Sequence, residues 1–164
     1  MSPRMIVAAA VIAVSLAGCQ PKDASVPDAR QSTDIQAEVT LMADSIARDL
    51  KSEGPTAWTR YFDKSPQFFM ASYGALAFPN FLAAADFVQE YARSVRRIEL
   101  TWTNVRVDPL TTQLAVMGAD FHEVITDTAG KDTIAGGYFT AVTVKTPAGW
   151  RLRNLHWSGA AGGK

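Results

Sequence analysis

The sequence predicts an α+β domain in which helices come first and a long, curved, mainly antiparallel sheet comes last. Three observations carry this. Apolar residues recur at helical spacing from Ile35 to Leu50 and again from Leu82 to Val95. From Arg97 onward the pattern changes to period two, the repeat of a strand with one buried face. Turn-forming pairs, Asp108-Pro109, Ala129-Gly130 and Ala148-Gly149, punctuate that second half at hairpin spacing.

The chain of 164 residues is 48% hydrophobic, which suits one domain with a proper core. Lys+Arg and Asp+Glu number 16 each. A balanced chain has no electrostatic reason to hold nucleic acid. There is one cysteine, so no internal disulfide forms, and no Cys/His cluster has metal-ligand spacing. Neither a metal nor a cofactor is expected.

The cysteine belongs to a different pattern. Arg4 is followed by an apolar run from Met5 to Ala17, interrupted by Ser15 and ending Leu16-Ala17-Gly18-Cys19. The run is too short for a spanning helix, which needs ~20 apolar residues, and fits the apolar region of an export signal. The ending resembles the lipobox of bacterial lipoproteins, in which the cysteine carries the acyl chains, palmitate among them, and the chain is cut before it. The resemblance implies a signal peptide over 1–18 and a membrane anchor at Cys19. Several acyl chains on one residue hold firmly, whereas one binds marginally. Gln20 rather than Asp follows the cysteine, which implies an outer-membrane lipoprotein facing the periplasm. Residues 19–32, polar and with two prolines, read as a flexible tether, 33–159 as the folded domain and 160–164 as a tail.

Within the domain, Thr33 and Gln36 fit a capping box. Ile35, Val39, Met42, Ile46 and Leu50 form the stripe of a first helix, which Gly54-Pro55 stops. A short helical turn is expected over Thr56–Phe62, and a small hairpin around Gly74. Pro79 then opens a helix with Leu82, Ala85, Val88 (or Phe87), Tyr91 and Val95 buried. Asp86, Gln89, Glu90 and Arg93 form its wet side. Four strands follow: from Arg97 to the Asp108-Pro109 turn, from Gln113 to Thr126, from Thr133 to Lys145, and from Trp150 to Ser158. Gly136-Gly137 suggests a bulge or bend in the third.

Helices first and a curved meander last resembles the nuclear transport factor 2-like (SnoaL-like) superfamily, a cone-shaped α+β fold. The closing stretch Gly149-Trp150 to Ala161, with a His six residues after the Trp and then Ser-Gly-Ala, is similar to the end of the association domain of calcium/calmodulin-dependent protein kinases. The stretches Asp86–Tyr91 and Thr103–Gly118 and the Asp-x-x-Gly turn at Asp127–Gly130 fit the same frame. The resemblance implies a homodimer paired through the sheet. It does not fix a function, because this fold hosts enzymes and non-enzymatic modules.

Alternation along the strands sorts candidate residues by face. On the second long strand, Ala115, Met117, Ala119, Phe121, Glu123 and Ile125 form the more apolar face, with Glu123 its only charge. On the last strand, Arg151, Arg153, Leu155 and Trp157 share one face, and Trp150, Leu152, Asn154, His156 and Ser158 the other. The kinase-like relatives mark their pocket with arginines at positions matching Phe121, Ala141 and Trp157. The expected concave face is therefore Met117, Phe121, Glu123, Phe139, Ala141, Arg153, Leu155 and Trp157, with Val88 and Tyr91 from a helix and Tyr61 near the rim. Where relatives hold guanidinium groups this chain has Phe, Ala and Trp, which argues against a small anionic ligand and for a hydrophobic small molecule, unless these side chains simply fill the core.

The enzyme alternative rests on Asp120 and His122. Two apart on one strand, they share a face, and a carboxylate orienting an imidazole makes a general base for an isomerase or dehydratase acting on a hydrophobic substrate. Tyr138 and His156 would add to that set, if that face lines the cavity. Ser158 beside His156 points the wrong way for a nucleophile pair. Arg93, Arg96 and Arg97 complement a helix end, Gly136-Gly137 is no phosphate loop, and Trp58 and Trp102 read as core or as pocket walls. The leading expectation is a lipid-anchored, non-catalytic binding or assembly domain.

Overall fold

A computed structural model describes residues 25–159. The lipobox and Cys19 lie outside the described residues, as does the tail.

Helix α1 (Ala29–Glu53) has its N-cap five residues before the expected one. Its N-cap is Asp28, whose carboxylate accepts from the Gln31 N–H at 2.8 Å while Gln31 Oε1 accepts from the Asp28 N–H at 2.9 Å. The capping box is thus Asp28/Gln31, one turn upstream of the Thr33/Gln36 pair. Ala, Arg and Gln between them favour helix, so nothing stops it from starting earlier. Thr33 instead bonds back to the Ala29 carbonyl, and Gln36 Nε2 reaches the Val107 carbonyl. Ile35, Val39, Met42, Ala43, Ile46 and Leu50 are buried. Gly54, at φ 79°, ends the helix with its N–H on the Leu50 carbonyl.

A 3-10 turn (Pro55–Ala57) and the one-turn helix α2 (Trp58–Tyr61) follow. Strands β1 (Phe69–Ser72) and β2 (Ala75–Phe78) form the small hairpin, turning through Tyr73 and Gly74 at φ 48° and 84°. Two consecutive positive φ values make the tight turn that matches strand twist. Helix α3 (Phe81–Ala92) is capped by the Asn80 side chain on the Ala83 N–H, two residues beyond Pro79's expected opening role. Its buried positions are Ala84 and Val88, whereas Leu82, expected inside, is 69% exposed.

Four long strands complete the chain: β3 (Val95–Pro109), β4 (Leu114–Asp127), β5 (Asp132–Thr146) and β6 (Gly149–Gly159). The six-stranded sheet has the order β2-β1-β6-β5-β4-β3, antiparallel throughout except where β1 runs parallel to β6. Helix α1 packs its buried stripe against β3, where Trp102 Nε1 donates to the Ala43 carbonyl at 3.1 Å. Glu38 pins the same helix to the far strands by accepting from Lys145 Nζ and Trp150 Nε1, both at 2.7 Å. This open sheet with helices packed on its concave face is the architecture that the sequence resemblance implies.

Two register shifts decide which side chains face that cone. In β3 the pairing slips between Thr103 and Arg106, with Asn104 at φ 53°. Before the slip Ile98, Leu100 and Trp102 face the core, and after it Val105 and Val107 do. In β6 the slip falls between the pairs Val142–Asn154 and Thr143–Leu152, leaving Arg153 as the extra residue. Trp150 and Leu152 are buried on one side of it, and on the other Leu155 is buried and Trp157 half-buried against the core. The expectation of one face running Arg151, Arg153, Leu155, Trp157 therefore holds only for its last two members, because an inserted residue reverses the alternation. Gly136-Gly137 makes no bulge: β5 pairs with β4 without interruption there. The requirement at Gly137 is space, since a Cβ would sit 1.8 Å from the Ser158 carbonyl oxygen.

Candidate functional site

The concave face of the sheet holds an aromatic cavity of about 300 Å³. Its floor comes from the sheet: Ile98 of β3, Phe121 and Glu123 of β4, and Trp157 of β6. Trp58 and Phe62 close one end, Val88, Phe87 and Tyr91 of α3 stand over it, and the hairpin contributes Met70, Ser72, Tyr73 and Phe78. Tyr73 is 64% and Phe87 50% exposed, which makes them the rim.

The floor is held by ring-on-ring packing. Trp157 meets Phe121 edge-on at 4.7 Å between centroids, Trp58 edge-on at 5.8 Å, and stacks on Trp102 at 5.7 Å, while Phe139 supports it from below at 4.5 Å. Above, Phe87 stacks on Tyr91 at 5.5 Å and tilts against Phe78 at 5.0 Å. Such pairs add roughly 0.5–1.5 kcal/mol each beyond the area they bury, and so stabilise these walls.

Among the described residues Glu123 is the one acid in this lining, and none of them puts a Lys, Arg or His there. Burial pushes its carboxyl up to about 7, and among the described residues neither a hydrogen bond nor a cation offsets that cost. Tyr91 faces the same space: burial first, and then the Glu123 charge, raise its hydroxyl above the ordinary value.

The expected site residues divide. Phe121, Glu123 and Trp157 line the cavity, with Val88 and Tyr91 as anticipated. Met117, Phe139, Ala141 and Leu155 share that face of the sheet but lie at 0–2% exposure inside the packed core, so they support the floor rather than form it. Arg153 is absent from the lining, and its Nε is buried without a hydrogen-bond partner among the described residues, a consequence of the β6 bulge. Tyr61 is also elsewhere. Its hydroxyl donates to Asp49 at 2.6 Å, in a cluster with Arg60 that also engages Glu53 and fastens α2 to α1. The Tyr61 bond, and then Arg60, hold the Asp49 carboxyl below its usual range.

Asp120 and His122 share a face, as their spacing requires, but it is the outer one. Asp120 stands opposite Tyr138 on β5 and accepts from Asn104 Nδ2 at 2.7 Å, and His122 is exposed opposite Gly136. His156 is exposed on the same side, paired with Thr140 on β5 and Ala71 on β1, and Ser158 bonds to the Tyr138 carbonyl. None of these lines the aromatic cavity. Sequence reasoning missed the hairpin's share of the lining, from Met70, Ser72, Tyr73 and Phe78. The hairpin reaches the cavity only through the parallel β1–β6 pairing, which leaves no local signal.

No protein-family model and no curated protein matches the sequence. Solved structures do match the fold. A nuclear transport factor 2-like superfamily protein from Salmonella enterica serovar Typhimurium superposes with a TM-score of 0.62 at 18% identity, over 82% of this chain and 94% of that one. A candidate scytalone dehydratase from Novosphingobium aromaticivorans gives 0.67 at 14%, over 79% and 86%. A candidate calcium/calmodulin-dependent protein kinase II association domain from Xanthomonas campestris gives 0.62 at 17%, over 76% and 86%. At these identities the likeness is one of fold, and the chain has the nuclear transport factor 2-like fold. Proteins of this fold include dehydratases and isomerases as well as non-catalytic proteins.

Proposed function

We propose that this protein is a lipid-anchored binding domain of the bacterial envelope that takes a small hydrophobic molecule into the cone and performs no reaction on it. The observation that carries the binding reading is the aromatic cavity of about 300 Å³. That volume is at the small end of ligand pockets, and an apolar lining with few polar groups is their usual chemistry. The reading of anchorage rests on the signal-like run ending at Cys19. The enzyme alternative through Asp120 and His122 loses its support, because both side chains stand on the outer face with Asp120 committed to Asn104.

Two experiments test this reading. Titration with small aromatic hydrocarbons should perturb the tryptophan fluorescence of Trp58 and Trp157, and absence of any binding removes the pocket claim. Cys19→Ala should release the protein from the outer-membrane fraction, and unchanged fractionation removes the anchor claim.

Self-association through the outer sheet face belongs to the same proposal. Ile134 is 68% and Tyr138 40% exposed there, with Val124 opposite Ile134. Exposed apolar side chains gathered on one sheet face fit an interface. Ile134→Lys should shift a dimer toward monomer in sedimentation equilibrium.

A further inference from the structure

The cavity has a chemical character narrower than hydrophobic. Its walls are ring faces and edges, and among the described residues Glu123 is its one charged group and no cationic side chain enters it. An aromatic ring carries negative potential on its face, so cations are attracted to it, most strongly where water is excluded. A carboxylate buried without a partner is unfavourable, and an opposite charge beside it removes that penalty. Both features call for the same ligand.

We propose that the cavity is a site for a hydrophobic organic ammonium ion, with Glu123 as its counter-charge and the rings of Trp58, Tyr91, Phe121 and Trp157 as its walls. This rests on the binding reading above and names the ligand class for that same site. An anion would meet Glu123 with no compensating cation. A neutral hydrocarbon would fill the space but leave the carboxyl buried and unpaired. A neutral carbonyl compound would need Glu123 protonated as a donor, so the two polar alternatives differ in the sign of their pH dependence.

Burial holds the free Glu123 carboxyl at about 7, and ammonium binding requires it ionised. Affinity should therefore rise with pH, by about tenfold between pH 6 and pH 8, and level off above. The titratable groups facing Glu123 across the cavity are Tyr91 of α3 and Tyr73 of the hairpin. The neighbouring strands present Leu100 and Ala135 opposite it. Burial and Glu123 both raise the Tyr91 hydroxyl above the tyrosine range, so Tyr91 stays neutral throughout this window.

The test uses the full chain in nanodiscs of uncharged lipid, titrated calorimetrically with benzyltrimethylammonium and with neopentylbenzene, its neutral isostere. The quaternary nitrogen does not titrate, so any pH dependence belongs to the protein. The expected result is binding of the cation at least tenfold tighter than the isostere at pH 8, weakening toward pH 6, with Glu123→Gln removing both the preference and the pH dependence. The pH series on the unaltered chain needs no variant to fold. Equal or tighter binding of the isostere overturns the ammonium proposal and leaves the hydrophobic pocket standing. Affinity for the cation that is flat or falls as pH rises overturns it as well. If neither probe binds, the proposal and the pocket reading fall together.

Discussion

The indole of Trp157 meets the ring of Phe121 edge-on, with centroids 4.7 Å apart and planes at 88°. The two residues lie on strands that are not neighbours, since β5 runs between them. They meet because the β5 residue opposite Phe121 is Gly137, which puts no side chain in the gap. Trp157 also touches Trp58, Trp102 and Phe139, so one indole joins α2, β3, β4, β5 and β6.

Trp157→Ala should consequently cost roughly 3–5 kcal/mol, the usual range for removing a large core aromatic. Denaturant unfolding would measure this. Trp157→Phe should cost less and keep a cavity floor. A loss under about 1 kcal/mol for the alanine variant would mean that the ring cluster is not what holds the cone closed.

The stability of the protein should fall as pH rises from about 4.5 to about 7, through Glu123. Its carboxyl moves from an ordinary 4.5 to about 7 on folding. Between those values the folded chain keeps a proton that the unfolded chain has lost, so folding weakens with pH and the penalty is complete above 7. The difference corresponds to about 3 kcal/mol as an order of magnitude. Glu123→Gln should be more stable than the unaltered chain at pH 8 and similar to it near pH 4.5. Parallel curves across that range would show that the carboxyl is better solvated than its surroundings indicate.

Two glycines test close approach in opposite ways. At Gly137 an added Cβ would fall 1.8 Å from the Ser158 carbonyl oxygen, which is backbone and cannot move without breaking the β5–β6 pairing. At Gly118 the obstacle is the Tyr138 hydroxyl at 2.6 Å, the far end of a side chain on the outer face. Gly137→Ala should cost several kcal/mol or prevent folding, whereas Gly118→Ala should cost on the order of 1 kcal/mol. Tyr138→Ala in the same chain should relieve most of the Gly118→Ala cost, and thermal unfolding of the single and double variants checks this.

Asp120→Asn and His122→Ala should leave probe affinity in the aromatic cavity unchanged, because both side chains face outward. The Asp120 change should weaken the bond from Asn104 Nδ2, now 2.7 Å, and cost about 1–2 kcal/mol, as for hydrogen bonds to a charged group at a partly exposed site. A tenfold change in affinity from either would contradict this assignment of faces.

Much of the architecture is legible in the sequence. The stripe from Ile35 to Leu50, the hairpin around Gly74 and the four long strands are where periodicity and turn residues put them. The same reading found Phe121, Glu123 and Trp157, because β4 keeps its alternation and the C-terminal end of β6 resumes it after the bulge.

By itself, the sequence determined element types, their order and the apolar character of one sheet face, since these follow from local spacing and from the side chains present. Only the tertiary structure decided which side chains share a space. The extra residues at Asn104 and Arg153 reverse the facing of everything beyond them, and an extra residue is defined only against the neighbouring strand. The cavity likewise depends on a hairpin that pairs with β6 some eighty residues later in the chain. Its volume is what remains after the helices, hairpin and sheet have met, and no local stretch of sequence carries that remainder.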